Sequence, residues 1–491
     1  MSSPTVADAP QKGFFGHPRG LSTLFFTEMW ERFSYYGMRA ILAYYLYAAV
    51  ADGGLGIPES TALSVVGIYG ASVYMTGVVG GWLADRVMGA QAAVFYGGVV
   101  IMFGHICLAL PGGVPTVVLG LVLLVIGTGL LKPNVSGLVG GLYSDDDTRR
   151  DAGFSIYYMG INLGGLLAPL VAGTLGERVG WHWGFGAAAV GMAIGLVQYS
   201  MGRKNLGSAG AKPVNPLPAE HKGRVLGRVV GIAALFVVVL GGLSVSGALG
   251  LDGLVNVVSI ISAVLPVVYF AVMLSSKQIT SVERDRLVAY IPLFLATALF
   301  FLLFEQQPNT LANLAEADTV LQVFGFEVPA SWFQSINSAT IIILAPVMAA
   351  LWLKLGDRQP STPQKFVGGV FFVGVAFLWV VLSKVVVGGD KHLPLMLALV
   401  FVIMTVGELL LSPVGLSAST KLAPKVFASQ TMGLYFLAPA MGQGLGAQVV
   451  KLYSVDNQQV YFAIVGLATI GCAVLLLVFA KGIKRKMHGV L

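Results

Sequence analysis

Apolar runs about twenty residues long recur along the whole chain, and nothing else in the sequence limits its fold so tightly. Wound as a helix at about 1.5 Å per residue, such a run crosses the roughly 30 Å of a bilayer's hydrocarbon. Lipid offers the backbone no hydrogen bonds, so each run must satisfy its own N–H and C=O groups, and a bundle of helices follows. Composition agrees: 56% of the 491 residues are hydrophobic and only 11% are charged, against roughly 25% charged in soluble proteins. No sizeable soluble domain fits between the runs.

Fourteen spans are predicted, near 20–50, 60–84, 91–110, 115–142, 152–176, 182–202, 226–248, 254–275, 288–315, 331–354, 366–387, 393–420, 427–452 and 459–481. The polar start, Met1 to Gly20, lacks the short apolar core and small-residue cleavage site of a secretory signal and is expected to stay attached. An even number of spans puts both ends on one side. Lys and Arg choose that side: Arg86, Arg149, Arg150, the Arg203-to-Arg228 linker and the Lys481-to-Lys486 tail share it, whereas the opposite loops hold only Arg178, Lys384, Lys391 and Lys451. Both termini are therefore expected in the cytoplasm. The net charge of +7 reflects this topology, and attraction to the membrane surface explains it better than nucleic acid. Cys107 and Cys472 have no metal-ligand spacing and read as small core residues.

The chain also echoes itself. G-G-W-L-A-D-R-V-M-G, Gly80 to Gly89, is followed by Gly97–Gly98; L-K-L-G-D-R-Q-P, Leu353 to Pro360, is followed at nearly the same distance by Gly368–Gly369, an offset of about 272 residues. G-T-G-L-L-K-P from Gly127 and G-E-L-L-L-S-P from Gly407 repeat at an offset of 280. Spans 1–6 thus align with spans 9–14 and leave a pair unmatched. The expected fold is an all-α membrane protein of the major facilitator type: a six-helix bundle over 1–206, a linker with a two-helix insert over 207–286, and a second six-helix bundle over 287–491.

The first span carries T-E-M-W-E-R-F-S-Y-Y-G-M-R, Thr27 to Arg39. An ionisable group at the bilayer centre costs about 2.5–3.5 kcal/mol on insertion scales, and Glu28, Glu31, Arg32 and Arg39 make four. Glu28, Arg32, Tyr35 and Arg39 fall on one helical stripe, which must face protein or water. Lys132, Glu305 and Glu408 lie inside three further spans, with Lys132 and Glu408 roughly 16–20 Å deep at 1.5 Å per residue. Arg39 and Lys132 belong to the first half and Glu305 and Glu408 to the second. A cavity walled by cations on one side and carboxylates on the other suits a zwitterion, and a di- or tripeptide spans about 7–10 Å. Carboxylates in such a layer also suit proton coupling, because pairing and desolvation move their proton affinity in opposite directions. No H-E-x-x-H, paired serine and base, or G-x-G-D suggests an enzyme.

E-M-W-E-R-F-S-Y-Y-G-M-R resembles the E-x-x-E-R-F-x-Y-Y-G motif of the proton-dependent oligopeptide transporters. The likeness continues through Gly80–Gly89, F-S-I-Y-Y-M-G-I-N-L-G-G from Phe154, F-E-Q-Q-P-N-T-L from Phe304, W-F-Q-S-I-N from Trp332 and V-G-E-L-L-L-S-P-V-G-L-S from Val406. It implies a bacterial inner-membrane symporter that imports di- and tripeptides by alternating access, functions as a monomer, and needs no cofactor or metal, the proton being its coupling ion. The resemblance further assigns Glu28, Glu31, Arg32 and Glu305 to proton coupling. Arg39 and Lys132 would receive the peptide carboxylate, Tyr35, Tyr36 and Tyr69 would line the pocket, and Asn162, Asn337 and Glu408 would hold the amino end. A related plant branch moves nitrate and other small organic solutes, the alternative substrate class. Phe301 and Tyr435-Phe436-Leu437-Ala438-Pro439 depart from the family pattern. Pro308, just after Glu305, is the expected hinge.

Overall fold

A computed structural model describes residues 13–144, 147–218, 250–388 and 391–489, with a few positions between 220 and 231. Its helices are α1 (Arg19–Tyr47), α2 (Glu59–Leu83), α3 (Ala90–Ala109), α4 (Gly113–Gly140), α5 (Arg150–Ala168), α6 (Trp181–Gly202) and α7 (Leu251–Ser275). They continue as α8 (Ser281–Phe304), the short α9 (Thr310–Ala317), α10 (Ser335–Leu355), α11 (Thr362–Val387), α12 (Pro394–Leu422), α13 (Ala428–Val449) and α14 (Gln458–Lys486). A wider turn, Pro169–Gly173, carries α5 on into Thr174–Arg178. The expected seventh span, 226–248, falls almost wholly outside the described residues.

Among the described residues, eleven helices are long and apolar enough to cross a membrane. The expected spans at the positions of α1 and α13 are also helical, with 29 and 22 residues. Their polarity sets them apart: α1 contains five charged residues and α13 contains Gln430, Gln443 and Gln448.

One expected helix is broken. The run 288–315 is not continuous, because α8 ends at Phe304 and α9 begins at Thr310. Pro308 has no N–H to donate and biases the residue before it away from helical geometry. The loose ends are taken up locally: Asn309 Oδ1 accepts from Thr310 N at 2.6 Å, and Gln306 Oε1 accepts from Thr310 Oγ1 at 2.8 Å and from the Tyr461 hydroxyl at 2.7 Å. A small hairpin then pairs Gln322–Val323 with Phe326–Glu327. Its turn residues, Phe324 and Gly325, both have positive φ, as a two-residue hairpin turn requires.

The described helices fall into two compact units, Met1–Met38 with Met75–Val257, and Arg39–Tyr74 with Val258–Leu491. In the first, α3 and α4 meet through glycines. A Cβ on Gly97 would lie 2.8 Å from Gly127 O, and one on Gly104 would lie 2.9 Å from Gly120 O. The second unit repeats the device between α11 and α12, where a Cβ on Gly407 would lie 2.9 Å from Gly369 O. Gly369 and Gly407 follow Gly97 and Gly127 by the same 272 and 280 residues that the motif echoes gave. The echo is therefore a repeated helix crossing.

Within the first unit the linker is tied to the turn after α2. Asn215 N donates to Asp85 O and Leu217 N to Arg86 O, each at 3.0 Å, while Arg86 Nη1 donates to Asn215 O at 3.2 Å. Gln91 adds bonds from its side chain to Gly207 O and Ala209 O. The Asp85-Arg86 pair holds the linker here, largely through its backbone.

The glycine crossings are testable by their volume. Gly97→Val is expected to lower stability by about 1–3 kcal/mol through overpacking. Gly77→Ala, whose Cβ would meet nothing within 4 Å, is expected to be neutral. Thermal unfolding in detergent micelles distinguishes the two, and equal behaviour would contradict the close crossing.

Candidate functional site

Two clusters of intramembrane charge are built, one in each unit. In the first, Glu28 and Arg32 stand one helical turn apart on α1, so the i, i+4 spacing brings them together. Arg32 Nε lies 3.2 Å from Glu28 Oε1 and 2.5 Å from Glu31 Oε2, and Arg32 Nη2 donates to Glu31 Oε1 at 2.8 Å. All three side chains are buried, with Glu31 fully enclosed. The Arg32–Glu31 contact is bidentate, the strong arrangement for a guanidinium and a carboxylate. Glu28 is left with one buried oxygen, Oε2, that has no hydrogen-bond partner among the described residues.

Aromatic rings complete this cluster. The Arg32 guanidinium sits 4.9 Å from the Tyr35 ring centre and 5.9 Å from that of Tyr36, within cation–π range. From α5 the Tyr157 hydroxyl interacts with Glu28 and lies 3.4 Å from Ser136 Oγ. Lys132, on α4, acts electrostatically on Glu28 as well. Asn162, one helical turn further along α5, is buried, and its Nδ2 donates to Tyr158 O at 2.9 Å.

The second cluster begins at Arg39. Its guanidinium makes a buried ion pair with Glu305, which caps the C-terminal end of α8 at the break before Pro308. Next to it, Asn337 Nδ2 donates to Glu408 Oε2 at 3.0 Å and to Thr405 Oγ1 at 2.9 Å, and Glu408 feels the charge of Glu305. Gln334 Nε2 donates to Ala40 O at 3.3 Å, bracing α1 beside Arg39. Tyr69 is buried on α2 in the same unit. The far end of α1 is held by Tyr44, whose hydroxyl donates to Ala312 O at 2.9 Å, and by Tyr47, which bonds Glu316.

Twelve residues were singled out from the sequence, and the structure divides them. Glu28, Glu31, Arg32, Tyr35, Tyr36, Lys132 and Asn162 lie in the first unit; Arg39, Tyr69, Glu305, Asn337 and Glu408 lie in the second. The sequence set Arg39 among the first half's cations facing the second half's carboxylates, and packing pairs it with Glu305 inside the second unit. The residues not anticipated are partners of those that were. Tyr157 lies inside the quoted Phe154–Gly165 motif and Thr405 lies three residues before Glu408, so proximity along a helix could have found both. Nothing in spacing pointed to Glu316.

Paired ionisable groups on several helices of a repeated membrane bundle define a secondary transporter of the major facilitator kind, not an enzyme. The sequence model of the POT family matches residues 91–464, and the chain belongs to that family. It is 50% identical over 490 residues to "Uncharacterized transporter YclF" of Bacillus subtilis (strain 168), covering 99% of this chain and 98% of the relative. It is 44% identical over 492 residues to a "Di-/tripeptide transporter" of Lactococcus lactis subsp. cremoris, covering 98% of each. Among solved structures, a crystal structure of the peptide transporter POT in complex with sulfate matches with a TM-score of 0.96 at 50% identity over 100% of both chains. A POT family transporter in complex with 5-aminolevulinic acid matches with a TM-score of 0.92 at 43% identity, over 97% of this chain and 99% of the other.

The second cluster makes a stability prediction. Arg39→Ala leaves the Glu305 carboxylate buried without its partner and is expected to cost about 3–5 kcal/mol. Removing both, in Arg39→Ala/Glu305→Ala, is expected to cost less than that single change. A thermal double-mutant cycle reads the coupling, and additive losses would mean that the pair contributes nothing.

Proposed function

We infer that this chain is a proton-coupled symporter that takes up di- and tripeptides by alternating access. The observation that carries the reading is the buried Arg39–Glu305 pair, flanked by the Asn337–Glu408 bond. The names of its relatives supply the substrate class, and the family is one of transporters. The Lys/Arg distribution supports both termini lying in the cytoplasm, and in this reading the protein is an inner-membrane monomer.

The chemistry follows from exchange of partners. A peptide carboxylate arriving at Arg39 competes with Glu305 for the guanidinium. A carboxylate deprived of its counter-ion inside the membrane is far more costly charged than protonated, so Glu305 takes up a proton as the peptide binds. The peptide's ammonium group is received by Glu408 with Asn337, and Tyr69 flanks the backbone. Glu28, Glu31 and Arg32 form the second proton-coupling set, in which Glu28 exchanges between Arg32 and the outside cation Lys132 while Glu31 stays paired with Arg32. Proton coupling then needs no cofactor, because each ionisable group is both a ligand and a counter-ion.

Proteoliposomes test this directly. An inward proton gradient is expected to accumulate labelled dipeptide above equilibrium, since a gradient of one pH unit is worth about 1.4 kcal/mol. Glu305→Gln is expected to abolish the gradient-driven part while sparing peptide exchange. Equal loss of driven uptake and exchange would remove Glu305 from the coupling role, and no accumulation with any peptide would overturn the symport reading.

A further inference from the structure

On the outer surface of the first unit, α1 and α6 enclose a groove of about 620 Å³. Its floor is zipped shut by Thr23 Oγ1 donating to Gly202 O at 3.2 Å and by Thr27 Oγ1 donating to Gln198 Oε1 at 3.1 Å. The lining from Val190 to Asn205 runs about 22 Å along α6 at 1.5 Å per residue, close to one leaflet with its headgroup region.

The two ends of this groove differ in chemistry. At the deep end the lining is apolar: Val190, Ile194 and Val197 are between 43% and 60% exposed. Ser22 and Asn205 line the other end, and Gln198 sits between that end and the apolar stretch, about 10 Å along the chain from Asn205. Gln198 gives Oε1 to Thr27, yet its amide N–H groups have no partner among the described residues, and neither has the Asn205 side chain. Arg19, Arg203 and Lys204 stand at the same helix ends, and no carboxylate lines the groove. Unused amide donors beside cations suit a phosphodiester, and the apolar trough beyond them suits an acyl chain.

We propose that the α1–α6 groove is a binding site for one anionic glycerophospholipid, its phosphate held by Asn205 and Lys204 at the mouth, a glycerol ester carbonyl by the Gln198 amide, and one acyl chain lying along Val197, Ile194 and Val190. The length of the groove, its polarity gradient and the sign of the charge at its mouth all favour a lipid over a partner helix, which would leave the amide donors against apolar side chains. The site is separate from the ionisable clusters and concerns how the protein is seated in its membrane, not what it carries.

Native mass spectrometry of the full-length protein, released from detergent micelles and titrated with phosphatidylglycerol or phosphatidylcholine, tests the assignment. The first phosphatidylglycerol is expected to bind at least about fivefold more tightly than phosphatidylcholine. Ile194→Trp, which fills the trough, should abolish that first adduct. Asn205→Leu/Lys204→Ala, which changes only the mouth, should erase the preference between the two lipids. Thermal unfolding confirms that each variant is folded, and the mouth variant carries the test if the tryptophan is not tolerated. Equal affinity for both lipids in the wild type, or an unchanged preference in the folded mouth variant, would overturn the proposal. So would a groove that keeps its detergent and forms no lipid adduct.

Discussion

A charged side chain among membrane helices has no water to fall back on, so it must meet an opposite charge or a set of dipoles. Most of what distinguishes this chain from an inert bundle follows from that requirement. Arg32 cannot be buried unless Glu31 and Glu28 are buried with it, and α1 accordingly carries all three within one turn. Arg39, two turns further on, exhausts what α1 can offer and takes its carboxylate from the end of α8. The break after Phe304 is part of the same solution: α8 stops at Glu305, whose backbone N–H closes the helix end while its side chain neutralises Arg39. Gln306 and Asn309 absorb the backbone groups set loose there.

Polar pairs impose distances, and glycines allow the helices to reach them. Where Gly164 of α5 crosses α1, a Cβ would stand 2.3 Å from Met29 O and 3.0 Å from Arg32 Cβ, so only a bare backbone lets α5 bring Tyr157 to the Glu28–Arg32 cluster. The crossings of α3 with α4 and of α11 with α12 apply the rule away from the charges. There the gain is van der Waals packing alone, since lipid gives helices no hydrophobic reason to associate.

The sequence revealed the parts of this architecture that depend on period and length. Span positions came from apolar runs, and the internal repeat came from two motif echoes that prove to be matching glycine crossings. Intramembrane charges were conspicuous because they are costly, which is why Glu28, Arg32, Lys132, Glu305 and Glu408 could be named in advance. What one dimension hid was partnership. Arg39 lies seven residues from Arg32, yet it is paired through a helix 266 positions away. The break in α8 was legible only in part: E-Q-Q-P-N-T, Glu305 to Thr310, interrupts the apolar run and marks Pro308 as a hinge, but only the bonds made by Gln306 and Asn309 show that the helix stops there.

Buried ion pairs are poor stabilisers, and hydrophobic residues of the same size would hold the helices at least as well. Their presence on α1 is better explained by a change of partner, and the two neighbouring carboxylates are not equivalent in that respect. Glu31 commits both oxygens to Arg32 and is fully enclosed, so displacing it would strand a guanidinium and a carboxylate together. Glu28 commits one oxygen, keeps the other unpartnered, and has the Tyr157 hydroxyl and the Lys132 ammonium as alternative company. A proton delivered to the free oxygen of Glu28 would leave the Arg32–Glu31 contact intact, whereas a proton on Glu31 would dismantle it. The geometry thus favours Glu28 as the proposed exchangeable carboxylate of this cluster and Glu31 as the fixed anchor that keeps Arg32 in place while the exchange happens.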